Sequence, residues 1–434
     1  MKMTIIGMGY LGATHAACMA ELGHEVLGVE TDVNRLRAIA AGSVPFYEPG
    51  LSELLAKHFA SGRLRVTDSY SEAASWANVI FLAVGTPQKR GDNSADLSHV
   101  YAAVESLLPL LAKDSVILGK STVPVGTCEQ LADRANDLAK ESVNVEVAWN
   151  PEFLREGHAI DDTLHPDRIV IGMSDGGSAD AVAREIYHVA IAAGTPYLVM
   201  DTASAEMVKV AANAFLATKI SFINAIADVC QASGANVSKI ADALGHDDRI
   251  GRKFLNAGIG FGGGCLPKDI RAFIARAGEL GVGDSVAFLR EVDLLNMRRR
   301  TRIVDSARQL CDGRLLNKRV AVLGAAFKPD SDDVRDSPAL NIAGQLQLQG
   351  AQVSVYDPKA IDNSRSIFPT LDYQTNILSA CEDADLTLVL TEWREFVEFD
   401  PQKIASVVRT PTVVDGRLCL PRASWEAAGW RVVQ

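Results

Sequence analysis

Apolar runs divide the chain into recognisable elements. Residues 3–6 (MTII) form a short apolar run that enters Gly7-Met8-Gly9-Tyr10-Leu11-Gly12, and an apolar helical stretch then continues to Gly23. A second run, HEVLGVETD (24–32), carries an acid, Glu30, at its end. VIFLAV (79–84), SVILGK (115–120), VEVAW (145–149) and RIVIGM (168–173) follow, separated by helical stretches, which predicts a parallel, doubly wound sheet. From about 204 to 232 the pattern changes to SAEMVKVAANAFLATKISFINAIADVCQA, apolar around most of its circumference, which predicts one long helix buried on several sides. A helical block then runs to about 302. KRVAVLGAAF (318–327) and LQGAQVSVYDP (348–358) repeat the opening theme. The expected architecture is α/β: two Rossmann-like doubly wound domains joined by a long central helix and helical block, with boundaries at 1–200, 201–303 and 304–434, enclosing one cleft. Of the three glycines only Gly324 recurs, so the last domain should not bind a dinucleotide in the same way.

The glycine spacing gives the first turn a chemistry. Gly7 makes the tight turn, Gly9 lets the backbone approach a pyrophosphate, Gly12 lets helix pack on strand, and the helix start offers unpaired N–H groups to phosphate. Glu30 would hold ribose hydroxyls and repel a 2′-phosphate, which favours NAD over NADP. Arg35 either flanks the same ribose or decorates a helix. Ligands in such sheets sit at strand C-termini, where Val84-Gly85-Thr86-Pro87, Ser121-Thr122-Val123-Pro124 and Asn150-Pro151-Glu152 fall.

Composition narrows the partners. With 434 residues, 48% hydrophobic and 22% charged, the chain suits two or three globular domains. A formal net charge of −11 argues against nucleic acid, so a bound anion must be met by local cations. The first residues lack the order of a signal peptide and no uncharged apolar run of about 18 residues occurs, so a soluble cytoplasmic protein without a membrane partner is expected. Seven cysteines, Cys18, Cys128, Cys230, Cys265, Cys311, Cys381 and Cys419, are scattered without metal-ligand or disulfide-framework spacing. Six read as small core residues.

Cys265 differs. It follows Gly262, Gly263 and Gly264 and precedes Pro267, a residue favoured at a helix start, with KDIRAFIARAGEL continuing at helical period. A helix N-terminus and Lys268 both favour a thiolate, and the glycines read as access for a substrate. On the long helix, Lys209 and Asn213 lie one turn apart, and Asn224 returns to nearly the same face. They are either a hydrogen-bonded structural pair or groups that stabilise an oxyanion and orient a hydroxyl or water. A nicotinamide cofactor with an activated thiol suggests oxidation at the aldehyde level through a thiohemiacetal and a thioester, with Glu152, Glu156 and Asp269 as carboxylates for the hydrolysis. The run Arg298-Arg299-Arg300-x-Arg302 reads as a solvated or interdomain helix face.

These features together resemble the nucleotide-sugar dehydrogenases of the UDP-glucose/GDP-mannose dehydrogenase family over essentially the whole chain. The resemblance is carried by GMGYLG, VGTP, STVPVGT, NPEFLREG, the K-x-x-x-N helix pair, DDRIGRKFLNAGIGFGGGCLPKD, FKPDSDDVRDSPAL and VVDGR, with DDRIGRKFLNAG and KVAANAFLATKIS most like its UDP-glucose branch. It implies conversion of UDP-glucose, two NAD+ and water to UDP-glucuronate and two NADH. It makes Cys265 the nucleophile, Lys209 and Asn213 the groups that stabilise oxyanions and orient water, and Asp269 their helper through that water. Glu152 would be the base for thioester hydrolysis, and Thr122 would orient water while touching the cofactor. For the cofactor it implies contacts from Leu11, Glu30, Arg35, Thr86, Thr122, Glu156, Lys268 and Arg335. For the nucleotide sugar it implies Glu152, Phe153, Leu154, Arg155, Glu156, Lys209, Asn213, Phe254, Leu255, Asn256, Ala257, Gly258, Gly262, Lys328 and Arg417. Arg249 would reach substrate across a subunit interface, so a homodimer or larger homo-oligomer through the central helix is implied. GDP-mannose or UDP-N-acetylmannosamine stays open as substrate. A two-electron hydroxyacid dehydrogenase needs no cysteine, against GGGCLPKD, and a non-catalytic nucleotide-sugar sensor would be expected to lose the thiol or the lysine.

Overall fold

The computed structural model describes residues 1–434, and the chain divides into two compact units, Met1–Ala212 with Arg271–Gly283, and Asn213–Ile270 with Asp284–Gln434. Residues 201–303 contribute to both units, and the helix Phe288–Leu310 runs across 303.

In the first unit eight strands form one sheet: β1 (Lys2–Ile6), β2 (Glu25–Val29), β3 (Leu64–Thr67), β4 (Val79–Leu82), β5 (Ser115–Gly119), β6 (Val145–Trp149), β7 (Ile169–Gly172) and β8 (Tyr197–Met200). Their order is β3-β2-β1-β4-β5-β6-β7-β8. Every residue of β4, β5 and β7 is buried, which explains why these read as continuous apolar runs rather than alternating ones. Two details differ from the sequence reading. β7 meets β6 antiparallel, through Trp149 opposite Gly172, because periodicity reports burial and not strand direction. Two strands lie outside the runs identified above: β3, Leu-Arg-Val-Thr, is interrupted by a charge, and β8, Tyr-Leu-Val-Met, is apolar in sequence although Leu198 and Val199 are exposed in the fold.

The order of the sheet reverses between β1 and β4, the place where such sheets bind ligands. The helix Tyr10–Glu21 starts there with Gly9 as its N-cap. A Cβ at Gly12 would stand 1.7 Å from the Gly7 carbonyl oxygen, so helix and strand approach as closely as the motif demands.

The second unit repeats the plan with β9 (Arg319–Leu323), β10 (Gln352–Tyr356), β11 (Asp372–Tyr373), β12 (Leu386–Val389), β13 (Thr412–Asp415) and β14 (Arg431–Val433), in the order β11-β10-β9-β12-β13-β14. All its pairs are parallel. Here the acid after the second strand has another use. Asp357 is buried; its Oδ2 accepts N–H bonds from Ala325, Ala326 and the Trp393 indole at 2.8, 3.0 and 3.0 Å. Its Oδ1 accepts from the Lys359 and Ala360 N–H groups, both at 2.9 Å. The donors that a phosphate would use in a dinucleotide cradle are thus taken by the protein's own carboxylate.

The long helix, Thr202–Ser233, begins in the first unit and continues in the second. By length and composition it is apolar enough to cross a membrane, and 39% of its most apolar window is buried. It is therefore less enclosed than its sequence suggests: Phe215, Phe222 and Val229 are exposed, and successive members stand seven residues apart on one face.

Because Asp357 holds five donors, Asp357→Ala should lower stability by about 3 kcal/mol or more, read as a shift of the urea unfolding midpoint, with Asp357→Asn intermediate.

Candidate active-site residues in each unit

In the first unit, β6 ends at Trp149 and the chain turns through 150–152 to place Glu152 against the long helix. Glu152 and Lys209 form a nearly buried ion pair at 2.8 Å, and the second Glu152 oxygen accepts the Leu154 N–H at 2.8 Å. Phe153 lies beside the pair, with the Lys209 ammonium 5.7 Å and the Arg168 guanidinium 3.7 Å from its ring centre. One turn before Lys209, buried Glu206 accepts N–H bonds from Gly126 at 2.7 Å and Cys128 at 2.6 Å. It thereby anchors the start of the helix Thr127–Leu138 and the loop that carries Thr122. Burial raises the Glu206 carboxyl to about 7 against the opposing pull of these N–H groups. Thr86 donates its hydroxyl to the Thr122 carbonyl at 2.7 Å, tying the ends of β4 and β5 together.

The same unit offers what a dinucleotide needs. A Cβ at Gly9 would meet nothing within 4 Å, so the start of the helix Tyr10–Glu21 is open for the close approach of a pyrophosphate. Glu30 is buried, and Arg35 pairs with it at 3.0 Å, so Arg35 serves as Glu30's partner rather than as decoration of its own helix. Leu11 is half-buried in the first turn. Glu156 sits on a segment held from a distance: buried Glu48, 109 residues before Gly157, accepts the N–H groups of Gly157 and Ala159 at 2.6 and 2.7 Å and the hydroxyl of Tyr10. No sequence pattern marks Glu48, because its partners are distant in the chain. Arg155 is turned to Asp162, with contacts of 2.9 and 2.6 Å.

In the second unit, Asn213 donates to Asp269 at 2.6 Å, and Lys268 pairs with the other Asp269 oxygen at 2.6 Å. Both oxygens of this buried carboxylate are satisfied, and Lys268 is engaged there. The Asp269 N–H closes the first helical turn on the Cys265 carbonyl at 2.9 Å, so Cys265 stands at the N-terminus of the helix Leu266–Glu279, with Pro267 as its second residue rather than its first. Cys265 is the exposed cysteine, while burial pushes the Cys18 and Cys381 thiols up to about 12.

The run 260–264 needs its glycines for a reason other than access. A Cβ at Gly262 would lie 2.4 Å from the Asp336 carbonyl oxygen, one at Gly263 2.8 Å from the Phe327 ring, and one at Gly264 2.2 Å from the Arg335 guanidinium. The loop is pressed against 327–336, and the Gly263 N–H donates to the Arg335 carbonyl at 2.8 Å. Asn296 pins Phe261 from both sides of its peptide, accepting its N–H at 2.8 Å and donating to its carbonyl at 3.0 Å. Arg300, 1% exposed, is held at 2.8 Å by Asp336. Of the two readings of the arginine run, a solvated or an interdomain helix face, the solvated one does not hold at Arg300: a charge run read without its partners looks like a surface. Arg299 likewise pairs with Asp228 and donates to the Gly258 carbonyl at 2.9 Å. The helical spacing of Asn296 and Arg300, one turn apart, was the available signal.

Of the remaining residues, Phe254 has a positive φ of 65°, a conformation that costs a bulky residue about 1 kcal/mol or more and is common at functional loops. Leu255 and Ala257 are buried, and Asn256 accepts from Arg252 at 2.7 Å. The Gly258 N–H donates to Asn224 at 2.8 Å, so Asn224 supports the loop rather than joining Asn213. Arg417 donates to the carbonyls of Leu390, Gly260 and Phe327 at 2.8, 3.1 and 2.8 Å, bracing the ends of β12 and β13 and the 260 loop, and pairs with Glu392 at 3.2 Å. Lys328 stands 5.5 Å from the Phe327 ring. Arg335 pairs with Asp333 at 2.8 Å. Arg249 pairs with its neighbour Asp247 at 2.6 Å and is otherwise exposed.

Comparison with known proteins adds to this geometry. Three models of the UDP-glucose/GDP-mannose dehydrogenase family match: the NAD binding domain at residues 1–191, the central domain at 203–298 and the UDP binding domain at 321–422. The chain is 41% identical over 418 residues to a UDP-glucose 6-dehydrogenase of Rhizobium meliloti, covering 96% of this chain and 95% of that one. It is similar to the structure of a UDP-glucose dehydrogenase from Pyrobaculum islandicum, with a TM-score of 0.89, 37% identity and coverage of 96% and 94%. A UDP-D-ManNAc dehydrogenase from Pyrococcus horikoshii gives a TM-score of 0.85 at 25% identity, covering 100% and 98%.

Asn296→Ala orphans the buried Phe261 peptide and should cost about 2–4 kcal/mol of stability by urea unfolding. An unchanged midpoint would mean that the glycine loop is held by its packing alone.

Proposed function

The chain belongs to the UDP-glucose/GDP-mannose dehydrogenase family, and on that premise we propose that it oxidises UDP-glucose to UDP-glucuronate through a thioester on Cys265. The observation that carries the reading is the thiol itself: exposed at a helix N-terminus, four residues before a carboxylate whose two oxygens are held by Asn213 and Lys268. A two-electron hydroxyacid oxidation has no use for that arrangement. UDP-glucose is favoured over UDP-D-ManNAc because the relatives named for UDP-glucose are 41% and 37% identical to this chain, against 25% for the one named for UDP-D-ManNAc.

NAD, when bound, accepts the two electrons of each of the two oxidation steps. The protein's own groups do the rest. The C6 hydroxyl loses its proton toward the Glu152–Lys209 pair, the lysine stabilising the negative charge that develops on oxygen. The Cys265 thiolate adds to the resulting aldehyde, and the oxyanion of that adduct meets Lys209 and Asn213. Loss of the second electron pair gives the thioester. Once the first proton has passed to solvent, Glu152 takes one from a water oriented by Thr122, Asn213 and Asp269; hydrolysis frees the thiolate and a carboxylic acid, which ionises to the carboxylate.

The first unit supplies the cofactor side, with the Gly7–Gly12 turn for pyrophosphate, the Glu30–Arg35 pair for ribose, and Thr86, Thr122 and Glu156 for the nicotinamide end. Lys328 and Arg417 supply positive charge for the diphosphate of the nucleotide sugar, which is how a chain of net charge −11 can bind a dianion. The exposed Phe215, Phe222 and Val229 stripe is covered by a second copy, which makes the enzyme a cytoplasmic homodimer or larger and gives Arg249 a partner to reach into.

Each UDP-glucose consumed should yield two NADH, counted at 340 nm against UDP-glucuronate formed; one NADH per turnover would sink the thioester route. Cys265→Ala should abolish turnover while UDP-glucose still binds. Phe215→Glu with Val229→Glu should halve the mass seen by light scattering, and an unchanged mass would place the interface elsewhere.

A further inference from the structure

One titratable group in the first unit has no part in the mechanism above. Lys120, at the end of β5, is almost completely buried. Its ammonium donates to Asn150 Oδ1 at 3.0 Å and to the Tyr187 hydroxyl at 3.4 Å, and both partners are neutral oxygens. The ring centres of Phe81 and Tyr187 lie 5.9 Å away. Such a site is costly for a charge, and a neutral side chain of similar shape is commonly the more stable occupant.

The local hydrogen bonds do not require it. Asn150 Oδ1 already accepts the Tyr187 hydroxyl at 2.6 Å, and Asn150 Nδ2 donates to the Val170 carbonyl at 2.9 Å. The charged and titratable groups that face Lys120 are few. Burial keeps Tyr187 protonated far into the alkaline range. His15, from the helix Tyr10–Glu21, is buried with both ring nitrogens unpartnered; burial first, and Lys120 second, hold it well below the ordinary histidine range, so it is neutral. That leaves Glu152, which attracts Lys120, and Lys209, which repels it. Asn150, which holds the Lys120 ammonium, stands two residues before Glu152, so the buried cation is tied to the turn that carries the ion pair assigned above to proton transfer.

We propose that Lys120 is a positioning residue for the oxidation: its fixed positive charge, held by Asn150 and Tyr187 at the head of the 150–152 turn, acts on the Glu152 carboxylate that the same turn carries. The inference rests on the proposed role of Glu152 and Lys209. It places stability and activity in opposition at one residue, as buried charges retained for function do.

Burial lowers the Lys120 ammonium from 10.5 to about 8. Below that pH the folded chain carries the buried charge and its cost. As pH rises through it, folded Lys120 gives up the proton while the unfolded chain keeps it up to 10.5, so the cost is relieved and the orienting charge is lost.

The test uses the full chain as wild type, Lys120→Met and Lys120→Gln. Both variants should lose about 10- to 100-fold in kcat with KM changed less than about threefold. The wild-type decline of kcat near pH 8 should be absent from both. At pH 7 the Lys120→Met variant should melt at the wild-type temperature or higher. Unchanged kcat, an unchanged alkaline limb, or a Lys120→Met protein that melts lower or fails to fold overturns the proposal, and Gln behaving as wild type while Met does not would assign the effect to a hydrogen bond and also overturn it. If the wild type does not give two NADH from UDP-glucose, the substrate reading fails by itself, and Lys120 is judged by the same ratios on whichever nucleotide sugar the wild type oxidises.

Discussion

Polar groups on an apolar helix must be paired, and much of the arrangement in each unit follows from how Thr202–Ser233 meets that requirement. Glu206 takes the N–H groups of Gly126 and Cys128, and Lys209 takes Glu152. In the second unit Asn213 holds Asp269, Ser221 donates to the Val292 carbonyl, and Asn224 accepts the Gly258 N–H. Each side chain fixes a different loop or neighbouring helix, and each bond made away from water is expensive to break. The alternative posed by the sequence, structural pair or catalytic group, is therefore a false opposition for Lys209 and Asn213. A group held this tightly is structural, and the same hold would pre-organise it for the chemistry proposed above.

The same economy separates the cysteines. Cys18, Cys128, Cys230, Cys311 and Cys381 are buried, and where burial shifts a thiol it raises it, which keeps the sulfur protonated and inert. Cys265 differs from these five in being exposed and in standing at a helix start. The glycines before it contribute by letting the loop pack against 327–336, which fixes where the thiol can be.

Much of this was legible in the sequence, for identifiable reasons. The strand–glycine–helix turn at 3–23 is local, so spacing alone located it. β4 and β5 stand out as runs of buried apolar residues. What spacing could not supply was anything that depends on a distant partner: the antiparallel entry of β7, the hold of Glu48 on 157–159, the burial of Arg300 by Asp336, and the contact between the glycine run and 327–336. Charge was the most misleading cue, because Arg300 and Lys120 lie in sequences that look solvated or ordinary, and only their surroundings reveal a buried cation.

The two Rossmann-like halves show how one sequence pattern can serve opposite ends. Glu30 and Asp357 each follow the second strand of their sheet, and each is buried. Glu30 is held by Arg35 and the Asp32 N–H, beside a helix start whose Gly9 leaves open space. Asp357 instead crosses to the first turn and fills it, bonding Ala325 and Ala326 where the first unit has its glycine motif. Once a carboxylate occupies that turn, a phosphate there would meet a like charge and no free donors. Positive charge in the second unit is accordingly found elsewhere, at Lys328 after β9 and at Arg417 after β13. A mononucleotide diphosphate needs only such a cluster at the strand ends, whereas a dinucleotide needs the open turn as well. The second half keeps one of the three glycines and turns its acid inward, so its first turn is closed to a pyrophosphate where that of the first half is open.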